Sequence, residues 1–305
     1  MSIVDEWHIG DPVDWGDGWM DAQNWGRSYD DDEEKDPNNN ETISQYSERD
    51  EYSQKAWDYY LDNKLNEALY YINLALDLDR WHSNNWNKKA IILEYMGRYG
   101  ESEKCYNKSL ELRQQSLVAD NKARMLRGWA GHLLSESRKM PNGMAKLEEA
   151  LEKNRKAIDT LPQDSEENID RFLSQKHIIE STIGYEKEYQ KNIETLKTYE
   201  KSELFTIAGR QFYKTSIKLT PGLSLKLVKE PDNQFDKNAI AVYAQDKKIG
   251  YVANNEYTKF KLTSSASELQ DKIKNVAQGE CLIYLFRPTD PEFSDIQFYI
   301  GKIIK

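Results

Sequence analysis

The stretch Leu65-Asn66-Glu67-Ala68-Leu69, continued by Asn73-Leu74-Ala75-Leu76-Asp77-Leu78, has a counterpart 34 residues further on. Ala68 recurs as Ser102 and Ala75 as Ser109, while Ala56 recurs as Ala90. Leu65 matches Tyr99, Glu67 matches Glu101, and Leu76-Asp77-Leu78 matches Leu110-Glu111-Leu112. Small residues at fixed places let two helices cross closely, and Tyr60, Tyr71, Tyr95 and Tyr106 fill the space around them. The surrounding residues 51–160 are rich in Leu, Ala, Glu and Lys, which favours helix. A fixed period of this length marks an architecture of stacked repeats. The alternative is an ordinary helical bundle with coincidental spacing, against which one offset kept at several positions argues.

These residues resemble the tetratricopeptide repeat (TPR). Residues 65–76 are similar to its second helix, and Gly97-Arg98-Tyr99-Gly100-Glu101-Ser102 opens the next one. Trp86 stands at the family's first-helix tryptophan. Ala150, Ala157 and Pro162 keep the spacing of a third unit. Its first helix, around Trp129 to Leu134, lies about eight residues too far upstream, with Met140-Pro141-Asn142-Gly143 as the extra loop. The consensus proline is replaced by Arg80 and Gln114 in the first two units. The resemblance implies an α-solenoid whose concave groove takes a peptide or protein ligand. Beyond it, Leu173, Ile178, Ile179, Ile183 and Tyr185 predict one or two capping or linker helices in residues 163–202.

The net charge of −10 is unevenly distributed. Residues 1–50 hold 15 acidic and 3 basic side chains, and residues 203–305 hold 12 acidic and 15 basic. An acidic total argues against a nucleic-acid partner, but here the acid sits in the first segment and the last is mildly basic. The first segment carries Asp30-Asp31-Asp32-Glu33-Glu34 and Asn38-Asn39-Asn40 with little apolar periodicity. Such a composition predicts a disordered acidic tail. Trp7, Trp15, Trp19 and Trp25 within it leave open a docking motif for a partner or for its own chain.

From Leu204 the period changes to that of strands. Leu204–Ile207, the alternating Leu223–Val228, Ala239–Tyr243, Lys248–Val252, Glu280–Phe286 and Ile296–Gly301 predict about six strands. Gln245-Asp246-Lys247 reads as a hairpin connection, Glu268–Val276 as a short helix, and Pro231 and Gly250 as turn residues. Together they predict a small closed barrel.

Within it, Ala208-Gly209-Arg210-Gln211-Phe212-Tyr213, then Glu230-Pro231-Asp232-Asn233-Gln234-Phe235-Asp236-Lys237-Asn238-Ala239-Ile240, then Ile249-Gly250-Tyr251-Val252, resemble the HIRAN domain in order and spacing. The resemblance implies an OB-like barrel that binds single-stranded DNA and captures a free 3′-hydroxyl end. It places the nucleic-acid site at Arg210, Gln211, Phe212, Tyr213, Asp232, Asn233, Phe235, Asp236, Lys237 and Lys259, with Asn254 and Lys261 as secondary candidates. Tyr213 and Phe235 offer faces for unpaired bases. Asp236 can accept a hydrogen bond from a terminal hydroxyl and would repel a continuing phosphate. Asn233 can bond the same nucleotide, and Lys237 or Lys259 can hold phosphates. Gln211 departs from the family's eukaryotic pattern, which has arginine directly before two aromatics. Asp236 and Asn238 also have a purely structural role open to them, as caps of a turn.

No phosphate-binding glycine loop, zinc-ligand spacing or nucleophile–histidine motif occurs. His8, His82, His132 and His177 are scattered, and Cys105 and Cys281 are too few for a disulfide framework. The expected protein is therefore a cytoplasmic, non-enzymatic adaptor with no cofactor and no membrane span. It divides into a tail (1–50), TPR-like repeats (51–162), capping or linker helices (163–202) and a HIRAN-like barrel (203–305). The barrel would bind single-stranded or branched DNA in DNA repair or replication-fork handling, and the repeats would bind protein. The alternative is a protein-interaction scaffold whose barrel binds no nucleic acid.

Overall fold

A computed structural model describes residues 43–304, apart from 164, 166, 167, 214 and 290–294. The expected acidic tail lies, for residues 1–42, outside the described residues. The chain divides into two compact units. One reaches Glu136 and takes in Ala145–Ile179; the other takes in Ser137–Met144 and continues from Glu180.

The first unit contains α1 (Ile43–Leu61), α2 (Leu65–Leu78), α3 (Ser83–Tyr95) and α4 (Tyr99–Leu112), followed by most of α5 (Ser116–Lys139) and of α6 (Met144–Thr160). α2 and α4 are both 14 residues long and stand 34 apart at each end. The turns inside the two pairs repeat as well. Asn63 (φ 56°) and Gly97 (φ 71°) both take the left-handed conformation, which Gly and Asn adopt most readily. The N–H of Lys64 then bonds the Tyr59 carbonyl at 2.8 Å, and that of Arg98 bonds the Leu93 carbonyl at 2.9 Å. Both helices thus end in the same carbonyl-satisfying motif.

The small residues do what their spacing predicts. Ala56, Ala68, Ala75, Ala90, Ser102 and Ser109 are fully buried. Serine is tolerated there because its hydroxyl finds a carbonyl on the facing helix. Ser102 Oγ donates to Ala90 O at 2.8 Å, and Ser109 Oγ to Ser83 O at 2.9 Å. These helix pairs are the expected TPR-like repeats.

The third pair departs from its expectation. α5 spans 24 residues against 13 for α3, so the extra length is helix, and residues 140–143 form only the turn after it. No proline stands between Pro37 and Pro141 to stop α5 sooner. α1 takes in residues 43–50, which composition grouped with the tail. Arg49 fastens them, its buried guanidinium donating to Asp79 at 2.9 Å. One long helix, α7 (Ile169–Leu196), replaces the one or two capping helices expected. Among the described residues no helix is long and apolar enough to cross a membrane.

The second unit is a closed barrel of β1 (Leu204–Ala208), β2 (Ser224–Lys229), β3 (Ile240–Ala244), β4 (Lys247–Val252), β5 (Val276–Arg287) and β6 (Ile296–Ile304). Its strand order is β1-β4-β3-β2-β5-β6. In β2, Leu225 and Leu227 point inward while Ser224 and Lys226 are exposed, the period-2 pattern of a half-buried strand. Gln245 (φ 50°) and Asp246 (φ 59°) make the two-residue β3–β4 turn. Phe205 is fully buried and sits opposite Gly301 in the β1–β6 register. A Cβ on Gly301 would lie 2.3 Å from the Phe205 ring, so the glycine makes room for the aromatic.

Two sequence expectations need correction here. Gly250 is not a turn residue: it lies in β4, where a Cβ would come within 2.5 Å of the Ala208 carbonyl. The helix expected at Glu268–Val276 is only α8, Ala266–Leu269, started by a Ser265–Glu268 capping box. Val276 instead pairs with Val228 as the start of β5, so sheet pairing overrides the local helical pattern.

Candidate nucleic-acid interface

Ala208 of β1 stands opposite Tyr251 of β4, Tyr251 opposite Ala241 of β3, and Ala241 opposite Val228 of β2. The chain leaves the sheet beside this row after β1, between β2 and β3, and after β4. Three loops are therefore neighbours, and side chains join them. The Tyr213 ring lies 6.3 Å from that of Tyr251. Asn233 donates to the Tyr251 hydroxyl at 3.3 Å, and Asn254 donates to Asp236 at 2.8 Å.

Asn233 is committed to the loop itself. Its Oδ1 accepts from the backbone of Phe235 at 3.0 Å and of Asp236 at 3.2 Å, while Nδ2 also donates to Glu230 at 3.1 Å. That is an Asx turn, and it fixes where the next two side chains point. Phe235 is then 97% exposed. Phe212 is 80% exposed and Tyr257, in the loop after β4, 96%. Large aromatics rarely stand so far into water without a partner to receive them. Asp236 is half-buried, with Oδ1 accepting from the Asn238 N–H at 2.8 Å and Oδ2 from Asn254.

Behind Tyr213 lies a compact polar cluster. Lys248 Nζ donates to Glu230 at 2.7 Å and to the Tyr251 hydroxyl at 2.6 Å, and that hydroxyl donates to Glu230 at 3.0 Å. Burial opposes the charge on Lys248, but these bonds outweigh it and raise its pKa. Burial likewise opposes the charge on Glu230, yet its bonds from Lys248, Asn233 and Tyr251 hold it below the usual carboxylate range. The Tyr213 hydroxyl is raised by burial and by its bond to Tyr251. Tyr213 is accordingly half-buried, a support for the loops as much as an open face.

The remaining residues separate by direction. Lys259 and Tyr257 line an open groove of about 540 Å³ together with Asn254 and Glu268. Glu268 stands 3.7 Å from Lys259 and 3.0 Å from Lys201. The Ser265 N–H and those lysines pull its pKa down to about 2. Arg210 turns onto the barrel wall, 4.5 Å from the Tyr299 ring, with Nη2 donating to the Ile217 carbonyl at 3.0 Å. Gln211, Asp232, Lys237 and Lys261 are exposed.

Residues 202–262 match the HIRAN domain. The chain carries a HIRAN domain. The matched segment holds β1 to β4 and every residue of the expected site. An uncharacterized protein of Methanocaldococcus jannaschii is 35% identical over 68 residues, which is 20% of this chain and 79% of that protein. Among solved structures, the chain is similar to the first TPR of Spaghetti (RPAP3) bound to HSP90 peptide SRMEEVD, at 13% identity and a TM-score of 0.30, over 45% of this chain and 94% of that one. The HIRAN domain points to nucleic-acid binding.

Several contributors escaped the sequence. Tyr257 sits in a segment without periodicity, and nothing local distinguishes it. Lys248 reads as an ordinary strand lysine until the sheet register places it beside Glu230. Glu268 carries a signal, the Ser-x-x-Glu capping box, which marks a helix start rather than a site.

Proposed function

We propose that this protein is a non-enzymatic adaptor whose HIRAN barrel captures a single-stranded DNA end while its repeats hold a protein partner. The observation that carries the proposal is the nearly complete exposure of Phe235 beside a carboxylate fixed by hydrogen bonds. Phe235, Phe212 and Tyr257 would stack unpaired bases, and Lys259 with Lys237 would meet phosphates. Asp236 would accept a hydrogen bond from a terminal 3′-hydroxyl. A chain continuing as phosphate would bring like charges together. Arg210, turned inward, drops out of the contact set, and Asn233 acts by shaping the loop. Single-stranded or branched DNA in repair or replication-fork handling, in the cytoplasm, is the setting that fits.

Asp236→Asn tests the role of the carboxylate. It should weaken binding to a 3′-hydroxyl strand by about tenfold, the worth of a hydrogen bond to a charged group, and leave a 3′-phosphate strand unharmed. Equal weakening of both strands would make Asp236 a turn residue only. A second reading, a scaffold whose barrel ignores nucleic acid, draws support from Glu268, which pairs with Lys201 and Lys259 and reduces the positive charge of the groove.

A further inference from the structure

We infer that Ser267 and Asn254 are positioning residues that aim the Asp236 carboxylate. Four residues from three segments close a hydrogen-bonded ring. Asp236 Oδ1 accepts from the Asn238 N–H at 2.8 Å, and Asn238 Nδ2 donates to Ser267 Oγ at 3.1 Å. Ser267 Oγ donates to Asn254 Oδ1 at 2.8 Å, and Asn254 Nδ2 donates to Asp236 Oδ2 at 2.8 Å. The ring has one sense only. Asn254 Oδ1 faces a second donor, the Ser267 N–H at 2.9 Å, so its amide nitrogen must point at Asp236. Each Asp236 oxygen then has one donor, and its remaining lone pairs point in fixed directions instead of sweeping with the side chain. A fixed acceptor is what a geometric test of a strand end requires.

The ring also ties the β2–β3 loop to α8, which lies beyond the matched HIRAN segment. Gln270 adds a parallel tie, donating to the Asn238 carbonyl at 2.8 Å. Ser267 is itself exposed, so removing its hydroxyl takes no support from the barrel core.

The inference rests on the proposed role of Asp236, and the test separates the two. The full chain is titrated, by fluorescence anisotropy, into a short thymidine strand ending in a 3′-hydroxyl and into the same strand ending in a 3′-phosphate. Ser267→Ala should cut the wild-type preference for the hydroxyl end by about tenfold, with binding to the phosphate end and the melting temperature unchanged. Ser267→Thr, which keeps the hydroxyl, should keep the preference. Asn254→Asp, nearly isosteric but lacking the donor, should lose it like Ser267→Ala. Retention of the full preference by Ser267→Ala or by Asn254→Asp overturns the positioning role, as does a Ser267→Thr variant that behaves like alanine. A wild-type protein with no preference overturns the Asp236 reading and this inference together.

Discussion

Phe205→Ala is expected to remove about 3–5 kcal/mol of barrel stability, the usual cost of truncating a fully buried aromatic. Phe205 is 0% exposed and lies over the backbone of Gly301, with Gly279 also against its ring. Two glycines leave the space that the ring fills, and neither has a side chain to collapse into the gap. The lost transfer energy and the cavity term therefore add. For a domain with a total stability of about 5–15 kcal/mol, that loss should lower the melting transition of the barrel by about 12 °C or more. Thermal unfolding of the full chain, followed by near-ultraviolet circular dichroism, reads the effect. A variant that melts with the wild type would mean that the Phe205–Gly301 contact does not hold β1 to β6.

Phe235→Ala should show the opposite profile. The ring is 97% exposed, so its removal should change stability by less than about 0.5 kcal/mol. If it stacks an unpaired base, the same change should cost about 1–3 kcal/mol of single-strand affinity, a weakening of roughly 5- to 150-fold. Binding isotherms and a melting curve on one preparation give both numbers. Unchanged affinity would remove Phe235 from the interface. A large fall in stability would show instead that the ring is structural, against its exposure.

The two profiles mark what the sequence could and could not reveal. Alternation along β2 and the Gln245-Asp246 turn made the barrel legible, because strand period and turn chemistry are local properties. The repeat was legible because Ala68, Ala75, Ser102 and Ser109 must be small for helices to cross. The matching turns at Asn63 and Gly97 were harder to see, since asparagine is also an ordinary loop residue. α8 was overestimated because pairing of Val276 with Val228 is a long-range fact. At the site, motif resemblance grouped Asn233, Phe235 and Asp236 but could not divide their labour. Only the hydrogen bonds show that Asn233 is consumed in a turn while Phe235 is left in water. Arg210 illustrates the same limit: its charge suggests a phosphate, and its position over Tyr299 is set by a strand about 90 residues away.

A mildly basic barrel should bind weakly and lose affinity as salt rises, so end capture is best tested at low ionic strength. The most direct measurement compares the affinity of the wild-type chain for one single strand ending in a 3′-hydroxyl, a 3′-phosphate, or a 3′-end blocked by a bulky group. The 3′-hydroxyl strand is predicted to bind about tenfold more tightly than either of the others. Equal affinity for all three, or no binding even at low salt, would contradict end capture and leave the protein-interaction scaffold as the account to pursue.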